Sequence, residues 1–476
     1  MELTLNPVYV NDKATCVDGS LGTQSLVSKL SAEIKNSVPP KTFSITGYWG
    51  AGKTSALAML FKTLTGAAPP IPLNNVDDTT ESTEFIGIWF EAWRYQNEQQ
   101  PIVALLQAIK QSFSTTDKFI DRTGKLASVS VLGALTVLDG VIKSATGMSG
   151  FSKIKQIGEE YEKEHLLSRL ANDQINDALK QAIDTLVKSD SNDKKKLAIF
   201  IDDLDRCEPE AVHNLLEGLK LFLTIENCVV IMAIDSQQVE QSLIKKIGVE
   251  AASYQKFYGV EYLEKICQDS FRLPVPDASK RIDYVKNTLF SILNPLGLKQ
   301  TQKIQDISSV LQKYECLPAN PRRLKMLCNR IASLLLYVNT NKLKHLKKLK
   351  NDNGLNKNQF DELYALSVVI IGSLYVNYRR IYERLEQCPT FISELFNFCE
   401  STPSKDYDDP RSVFFEFYKP EIDTGVRVEH ASDLAVFRLK KMFLSQGNSP
   451  LNEFNITQVG FGDILHELIV AYNTAI

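Results

Sequence analysis

Short β-prone runs, mostly apolar, alternate with helix-like patterns through the first 275 positions of the chain. The runs cover residues 43–46, 85–90, 197–201, 228–234 and 271–274. The second, third and fourth runs are apolar from end to end, which is typical of strands buried on both faces of a parallel sheet. The pattern therefore predicts an α/β domain with a parallel sheet over residues 1–285.

From residue 280 onward helical periodicity dominates, and no convincing strand pattern remains until the end of the chain. Apolar residues recur at helical spacing in residues 281–293, 304–314, 321–337, 360–385 and 391–398. We expect an all-helical C-terminal domain over residues 286–476. Its most apolar stretch, Leu366–Val376, has only 11 residues, short of the ~20 that a membrane span requires, so it predicts a core helix.

A stretch rich in small apolar residues, 126–151, lies between the second and third β-prone runs. Its uncharged part, Leu126–Leu138, has 13 residues, again fewer than the ~20 of a spanning helix. Asp139 and Lys143 follow directly and argue further against a span. The stretch predicts a helical hairpin that packs on protein, or less favourably on a membrane surface, inside a helical insert of about 112–190.

A second unusual segment, Lys342–Lys350, carries five lysines and His345, and is followed by the chain-breaking Asn351–Gly354. Its polarity predicts an exposed linker. A local contact with nucleic acid is the less favoured alternative.

Overall composition narrows the function classes. The 476 residues include 54 basic and 57 acidic side chains, with a formal net charge of −3. Because the basic and acidic side chains nearly balance, the chain has no overall positive field that would attract nucleic acid. Binding to nucleic acid is therefore possible but not indicated. The eight cysteines contain no C-x-x-C pair, and several lie in apolar runs as reduced core cysteines do, so we expect a cytoplasmic protein without structural zinc.

The first motif with chemical content is Gly47–Thr54, which reads G-x-x-x-x-G-K-T between a β-prone run and a helix-prone run. This is a phosphate-binding loop, whose glycines let backbone N–H groups surround phosphates at a helix N-terminus. Lys53 is expected to reach the β- and γ-phosphates, and the Thr54 hydroxyl to hold Mg²⁺. The residues expected to contact nucleotide here are Gly47, Trp49, Gly50, Ala51, Gly52, Lys53, Thr54 and Ser55.

Carboxylates follow the strand run at 197–201, as the second motif of such proteins requires. Asp202 is expected to complete the magnesium site with Thr54, since a buried strand delivers a carboxylate to the metal that bridges the phosphates. Asp203 is expected to orient and activate the attacking water, with Asp205 as its substitute.

Polar residues also follow the neighbouring runs. Asp235, after the run 228–234, either senses the γ-phosphate or caps the next helix, and the sequence favours neither reading. Glu91 and Arg94 follow the run 85–90, at the carboxyl end of a strand, where ligands gather in such sheets.

Several arginines are candidates for stabilising charge on the transferred phosphoryl group. Arg322 and Arg323 begin a helix after Asn320-Pro321, and one of them is expected to face nucleotide and couple the helical domain to it. Salt bridges on a packed helix are the alternative. Arg272 would then act on a neighbouring subunit. Arg206, beside the aspartates, could equally form a local ion pair.

Taken together, these motifs resemble the KAP family of P-loop NTPases, over about residues 10–340. The matching segments are Gly47–Ser55, Trp89–Tyr95, Phe200–Cys207 and Asn320–Lys325. The resemblance implies a sheet with an additional strand between the phosphate-loop and aspartate strands. Many members carry transmembrane helices between the nucleotide motifs, whereas this chain looks like a soluble member.

The resemblance also implies an activity. ATP hydrolysis with Mg²⁺ would switch or assemble a partner, either a homo-oligomer or a separate effector protein. Bacterial members of the family include phage-exclusion proteins, so an ATPase switch in antiviral defence is the first hypothesis. A nucleotide-binding scaffold at the membrane surface, with little hydrolysis, is the alternative. A nucleic-acid motor is disfavoured by the balanced charge and the absence of helicase motifs.

Overall fold

The computed structural model describes most of the two predicted domains. The described residues are 9–15, 21–74, 84–97, 101–114, 180, 196–220, 222, 225–247, 252–294, 301–314, 317–338, 343–400, 413–414, 439, 442–444 and 450–474. The predicted insert at about 112–190, including the stretch 126–151, lies almost entirely outside them.

A five-stranded sheet, parallel throughout, forms the centre of the first part of the chain. In spatial order its strands are β4 (Phe85–Glu91), β5 (Lys196–Asp202), β6 (Cys228–Ile234), β2 (Lys41–Thr46) and β7 (Asp269–Arg272). A separate parallel pair joins β1 (Ala14–Thr15) to β3 (Leu73–Asn74). Because β6 lies between β2 and β5, the predicted additional-strand order is confirmed.

Helices flank this sheet, and the central strands are deeply buried. The helices are α1 (Thr23–Asn36), α2 (Lys53–Thr65), α3 (Pro101–Ser114), α4 (Pro209–Leu219), α5 (Ser236–Ile247) and α6 (Ala252–Ile266). Every residue of β6 is buried, and so is every residue of β5 after Lys196. The apolar sequences of these strands follow from that position, since neither face meets water.

Helix α2 approaches β4 closely at Gly87. A Cβ atom at this position would lie 2.5 Å from Thr65 Cγ2 and 2.7 Å from Phe61 Cε2. Only glycine leaves room for this approach, and the Phe61 ring also meets Trp89 edge-on, with the centroids 5.8 Å apart. The far end of the phosphate-loop helix is therefore seated directly on the sheet.

The remainder of the described chain is helical, as predicted. Its helices are α7 (Ala278–Leu293), α8 (Thr301–Tyr314), α9 (Pro321–Tyr337), α10 (Lys344–Asp352), α11 (Lys357–Asn377), α12 (Arg379–Gln387), α13 (Phe391–Glu400), α14 (Pro450–Phe454) and α15 (Gln458–Asn473). They share one apolar core.

The chain divides into two compact units. The α/β unit comprises Lys13–Gly19 and Thr23–Pro274, and the helical unit comprises Met1–Asp12, Ser20–Gly22 and Val275–Ile476. A short N-terminal segment thus belongs to the helical unit, where the Val10 N–H donates to Asn329 Oδ1 at 2.9 Å.

Helix α11 is the one helix in the described ranges that is long and apolar enough to cross a membrane. Two-thirds of its most apolar window, 67%, is buried inside the protein, and residues Leu363–Leu374 are buried without a break. The expectation of a core helix at 366–376 is confirmed by this burial, because the apolar side chains already pack against protein.

The predicted linker at Lys342–Lys350 is wrong in its structured part, since residues 344–352 form helix α10. Leu346 is fully buried and attaches the helix to the core. The Glu467 carboxylate accepts the backbone N–H groups of Lys344 and His345, the latter at 3.0 Å. Apolar contacts with the core and one acidic cap therefore order a stretch whose composition suggested a linker.

Candidate functional site

The loop between β2 and α2 has the backbone shape of a phosphate cradle. Gly50 and Gly52 adopt φ values of 80° and 97°, a left-handed conformation that favours glycine. The Ala51 N–H donates to the Tyr48 carbonyl at 3.1 Å and closes a tight turn. Because α2 begins at Lys53, the loop leads directly into a helix N-terminus, where a phosphate group is favoured.

Lys53 is held at this loop by three oxygen atoms. Its Nζ donates to the Gly47 carbonyl at 3.0 Å and the Tyr48 carbonyl at 3.5 Å, and lies 2.9 Å from Asp205 Oδ2. The side chains of Lys53 and Asp205 are only 10% and 7% exposed. Asp205, which the sequence offered as a substitute for Asp203 in activating water, pairs with Lys53 in this structure.

The two residues predicted to bind metal lie together. The Thr54 hydroxyl hydrogen-bonds to the Asp202 carboxylate, which is 2% exposed. Burial, and then the charges of Asp203 and Asp205, raise the pKa of Asp202 to about 7, while the Thr54 hydrogen bond works in the opposite direction. A cation here would offset the cost of keeping that buried carboxylate ionised.

The donor atoms suit magnesium, which prefers hydroxyl and carboxylate oxygens and completes its shell with water and phosphate. Within the described ranges, no group of three or more His, Cys, Asp or Glu side chains could hold a metal ion without further ligands. Thr54 and Asp202 are the two residues here that could hold Mg²⁺.

Asp203 stands at the turn after β5, with φ at 58°. Its carboxylate pairs with Arg206 at 2.8 Å and is 13% exposed. The local ion pair suggested for Arg206 is thus present, and it engages the residue predicted to activate water.

A second ion pair lies beside it, between two residues that the sequence places at the carboxyl end of a strand, where ligands gather. Glu91 is the register partner of Asp202 on β4, and it contacts Arg94 at 2.7 Å. Burial raises the pKa of Glu91, Arg94 lowers it, and the charge of Asp203 raises it. Glu91, Arg94, Asp203 and Arg206 form what we call the edge cluster, at the carboxyl ends of β4 and β5.

Asp235 combines features of both readings left open by the sequence. Its Oδ1 accepts the Gln237 N–H at 3.2 Å, as a residue does when it caps the start of α5. Its own N–H donates to Asp205 Oδ2 at 3.2 Å, so it also belongs to the hydrogen-bond network around Lys53. The side chain is 6% exposed.

Two further predicted residues, Ser55 and Trp49, lie in helix α2 and in the loop before it. Ser55 Oγ accepts the Thr15 N–H at 3.3 Å, which places β1 next to the first turn of α2, a contact that the sequence did not indicate. The Trp49 side chain is 57% exposed at the loop tip.

Of the three candidate arginines, Arg272 lies in the α/β unit, and Arg322 and Arg323 lie in the helical unit. Arg272 is exposed at the end of β7, in register with Thr46 at the start of the loop. Arg322 and Arg323 begin α9 in the helical unit, where Asn320 Oδ1 accepts both their N–H groups. Arg322 pairs with Asp12 at 2.6 Å, as expected of a salt bridge on a packed helix, while Arg323 is exposed.

Three comparisons with known proteins gave matches. Residues 24–338 match the KAP family P-loop domain. The uncharacterized protein MJ0182 of Methanocaldococcus jannaschii is 27% identical over 170 residues, which cover 30% of this chain and 88% of that protein. A structure of the Aeropyrum pernix Orc1 protein in complex with DNA aligns over 92% of this chain and 85% of its own, at 10% identity and a TM-score of 0.32.

Proposed function

We propose that this chain, which belongs to the KAP family of P-loop NTPases, binds Mg²⁺ and ATP at the carboxyl edge of its sheet and hydrolyses the ATP slowly. The nucleotide state would then control assembly or recruitment of a partner protein. The hydrogen bond between Thr54 and Asp202 carries this proposal, because it joins the phosphate loop to the aspartate strand where a metal ion must bridge them.

Each residue of the site would have a separate task. Lys53 would place a fixed positive charge on the β- and γ-phosphates, and Thr54 and Asp202 would hold Mg²⁺. Asp203 would accept a hydrogen bond from the attacking water and aim its oxygen at the γ-phosphorus. Magnesium would supply charge neutralisation on the phosphate oxygens.

The ion pairs support slow, regulated turnover. An incoming phosphate must compete with Asp205 for Lys53, and Asp203 must leave or share Arg206 before it can hold water. Both rearrangements would accompany binding, and either could be coupled to a partner. This is the behaviour of a switch, in which occupancy of the site matters more than the rate of catalysis.

The first test compares Lys53→Ala with Lys62→Ala, a lysine farther along the same helix α2. Fluorescent ATP binding, measured by anisotropy with Mg²⁺ present, should be lost in Lys53→Ala and kept in Lys62→Ala. Unchanged affinity in Lys53→Ala would refute the assignment of the loop.

Substitutions of Asp202 and Asp203 distinguish an effect on hydrolysis from an effect on binding. Asp202→Asn should weaken Mg²⁺-dependent binding, whereas Asp203→Asn should bind normally and turn over at least tenfold more slowly. Equal turnover in Asp203→Asn and wild type would instead favour the scaffold with little hydrolysis. Normal hydrolysis by Asp202→Asn would show that the metal site is misassigned.

The coupling arginine is identified by mixing variants. Arg272→Ala, Arg322→Ala and Arg323→Ala are each assayed alone and together with Lys53→Ala. Recovery of turnover only in the Arg272→Ala mixture would indicate a residue supplied across a subunit interface. Full activity of all three single variants would rule out the arginine coupling.

We further propose a role in antiviral defence, supported by the resemblance to bacterial phage-exclusion members of the family. Phage plating on cells expressing the wild type is compared with plating on cells expressing Lys53→Ala. The wild type should reduce plaque number and the variant should not. If both plate equally across a broad phage panel, the defence role is rejected while nucleotide binding still stands.

A further inference from the structure

Helix α10 (Lys344–Asp352) of the helical unit presents its lysines to solvent. At about 100° per residue, Lys344, Lys347 and Lys348 fall on one side of the helix, and Lys350 flanks them. All four are exposed. We call Lys344, Lys347, Lys348 and Lys350 the basic face.

The opposite side of the same helix is turned into the protein. Leu346 is fully buried, and Leu349 is half-buried, with its Cδ2 3.8 Å from where a Cβ on Gly460 of α15 would lie. The rotation of α10 is therefore fixed, and the lysines are held outward as a set.

The arrangement works against the stability of the helix. Lys344 stands three residues from Lys347 and four from Lys348, and like charges at these spacings repel. Lys344 also lies at the helix N-terminus, where the helix dipole disfavours a cation. In the described ranges no carboxylate lies within 4.0 Å of the ammonium groups of Lys344, Lys348 and Lys350.

The one acidic group at this end serves the backbone instead. Glu467 accepts the N–H groups of Lys344 and His345, and one of its oxygens lies 3.6 Å from the His345 ring. It secures the start of the helix through backbone hydrogen bonds. Lys344, Lys348 and Lys350 are therefore exposed cations without a neighbouring carboxylate in the described ranges, and the Lys350 ammonium lies 4.9 Å from the centre of the Phe360 ring. An external anion would offset the repulsion among these lysines.

We propose that the basic face binds the phosphate backbone of nucleic acid. Several cations on one rigid helix side match the repeated charge of a phosphate chain, which binds with release of counterions. A lipid surface fits less well, because both leucines of α10 face the core and no apolar side chain remains on the basic face to enter a bilayer. Such binding depends on the charge of the phosphate groups and not on the base sequence.

The test uses the full chain and a fluorescein-labelled 20-base-pair duplex of arbitrary sequence, followed by anisotropy from 50 to 300 mM KCl. The triple variant Lys344→Gln/Lys348→Gln/Lys350→Gln should bind at least tenfold more weakly near 100 mM salt. The slope of log affinity against log salt should also fall by about 2 to 3, at roughly 0.9 for each phosphate that the variant no longer neutralises.

A matched control removes the same charge from exposed positions elsewhere in the helical unit, as Lys280→Gln/Lys286→Gln/Lys357→Gln. This control should bind the duplex within twofold of wild type. If both triple variants lose affinity equally, binding follows net charge and the basic face has no special role. If the α10 variant binds as wild type does, the proposal is wrong.

Two further measurements remove the remaining explanations. Far-ultraviolet circular dichroism should show the α10 variant as helical as wild type, because removal of like charges relieves repulsion. Sedimentation with vesicles containing 30% phosphatidylserine should show no loss specific to the variant. A loss with vesicles and none with duplex would assign the face to membranes.

Lys53→Ala should bind the duplex normally, which separates this inference from nucleotide binding.

Discussion

The buried carboxylate of Asp202 should make the metal-free α/β unit less stable as pH rises. The pKa of this group, raised by burial to about 7 from an ordinary 3.8, lies above its value in the unfolded chain. Its contribution to stability is therefore complete below pH 3.8 and is lost as pH rises through about 7. Asp202→Asn keeps an oxygen for the Thr54 hydroxyl and cannot ionise, so the variant should escape this loss.

The size of the effect follows from the two pKa values. At about 1.4 kcal/mol per pH unit, the difference between 7 and 3.8 corresponds to about 4 kcal/mol in the free energy of unfolding at pH 8 and above. Between pH 5 and pH 8 the wild type should lose about 2 to 3 kcal/mol relative to Asp202→Asn. Below pH 4 the two proteins should have similar stability.

The assay is urea unfolding in EDTA, followed by intrinsic fluorescence. All three tryptophans, Trp49, Trp89 and Trp93, lie in the α/β unit, so the signal reports that unit alone. Asp269→Asn serves as the control, since it removes a half-exposed carboxylate from the same sheet. Parallel pH profiles for wild type and Asp202→Asn would refute the reasoning, as would an equal gain in the control.

Three further substitutions or labels test other features. Gly87→Val should lower the thermal unfolding midpoint by several degrees in differential scanning fluorimetry, because its side chain must displace Thr65 and Phe61; an unchanged midpoint would contradict the close packing of α2. Asn320→Ala should cost about 1 kcal/mol in calorimetry through loss of the α9 cap, and Asn320→Ser should recover most of it. Cys388, whose pKa is lowered by the Thr390 hydroxyl, should react with iodoacetamide before Cys207, and the reverse order in peptide mapping would refute this.

The sheet could be predicted because its strands are buried on both faces. An apolar run such as Cys228–Ile234 admits few other structures when it alternates with helices, and the order of such strands follows from the family resemblance. Helix α10 could not be predicted in the same way. This helix is stabilised by the burial of Leu346 and by Glu467, which lies more than a hundred positions away in the sequence. The local composition of residues 344–352 cannot indicate such a distant contact.

The same division applies to the site. Lys53, Thr54 and Asp202 could be placed because the loop and strand motifs fix their positions on adjoining elements. The partner of Lys53 could not be predicted, since three aspartates lie within four positions at the end of β5, Asp202, Asp203 and Asp205, and the turn at Asp203 decides which one faces the lysine. The proximity of Thr15 to Ser55 depends on pairing between two-residue strands, too short to leave a periodic signal.

The seating of α2 on Gly87 has a mechanical consequence for how the site can communicate. Phe61 and Thr65 lie so close to Gly87 that the position has no room for a Cβ atom. A helix packed this closely at its far end is expected to resist movement relative to the strand. We therefore expect the phosphate loop to keep its position relative to the sheet when nucleotide binds. We therefore expect a movement that reports nucleotide binding to involve the turns that follow β4 and β5, where the ion pairs Glu91–Arg94 and Asp203–Arg206 can change partners without a change in the packed core.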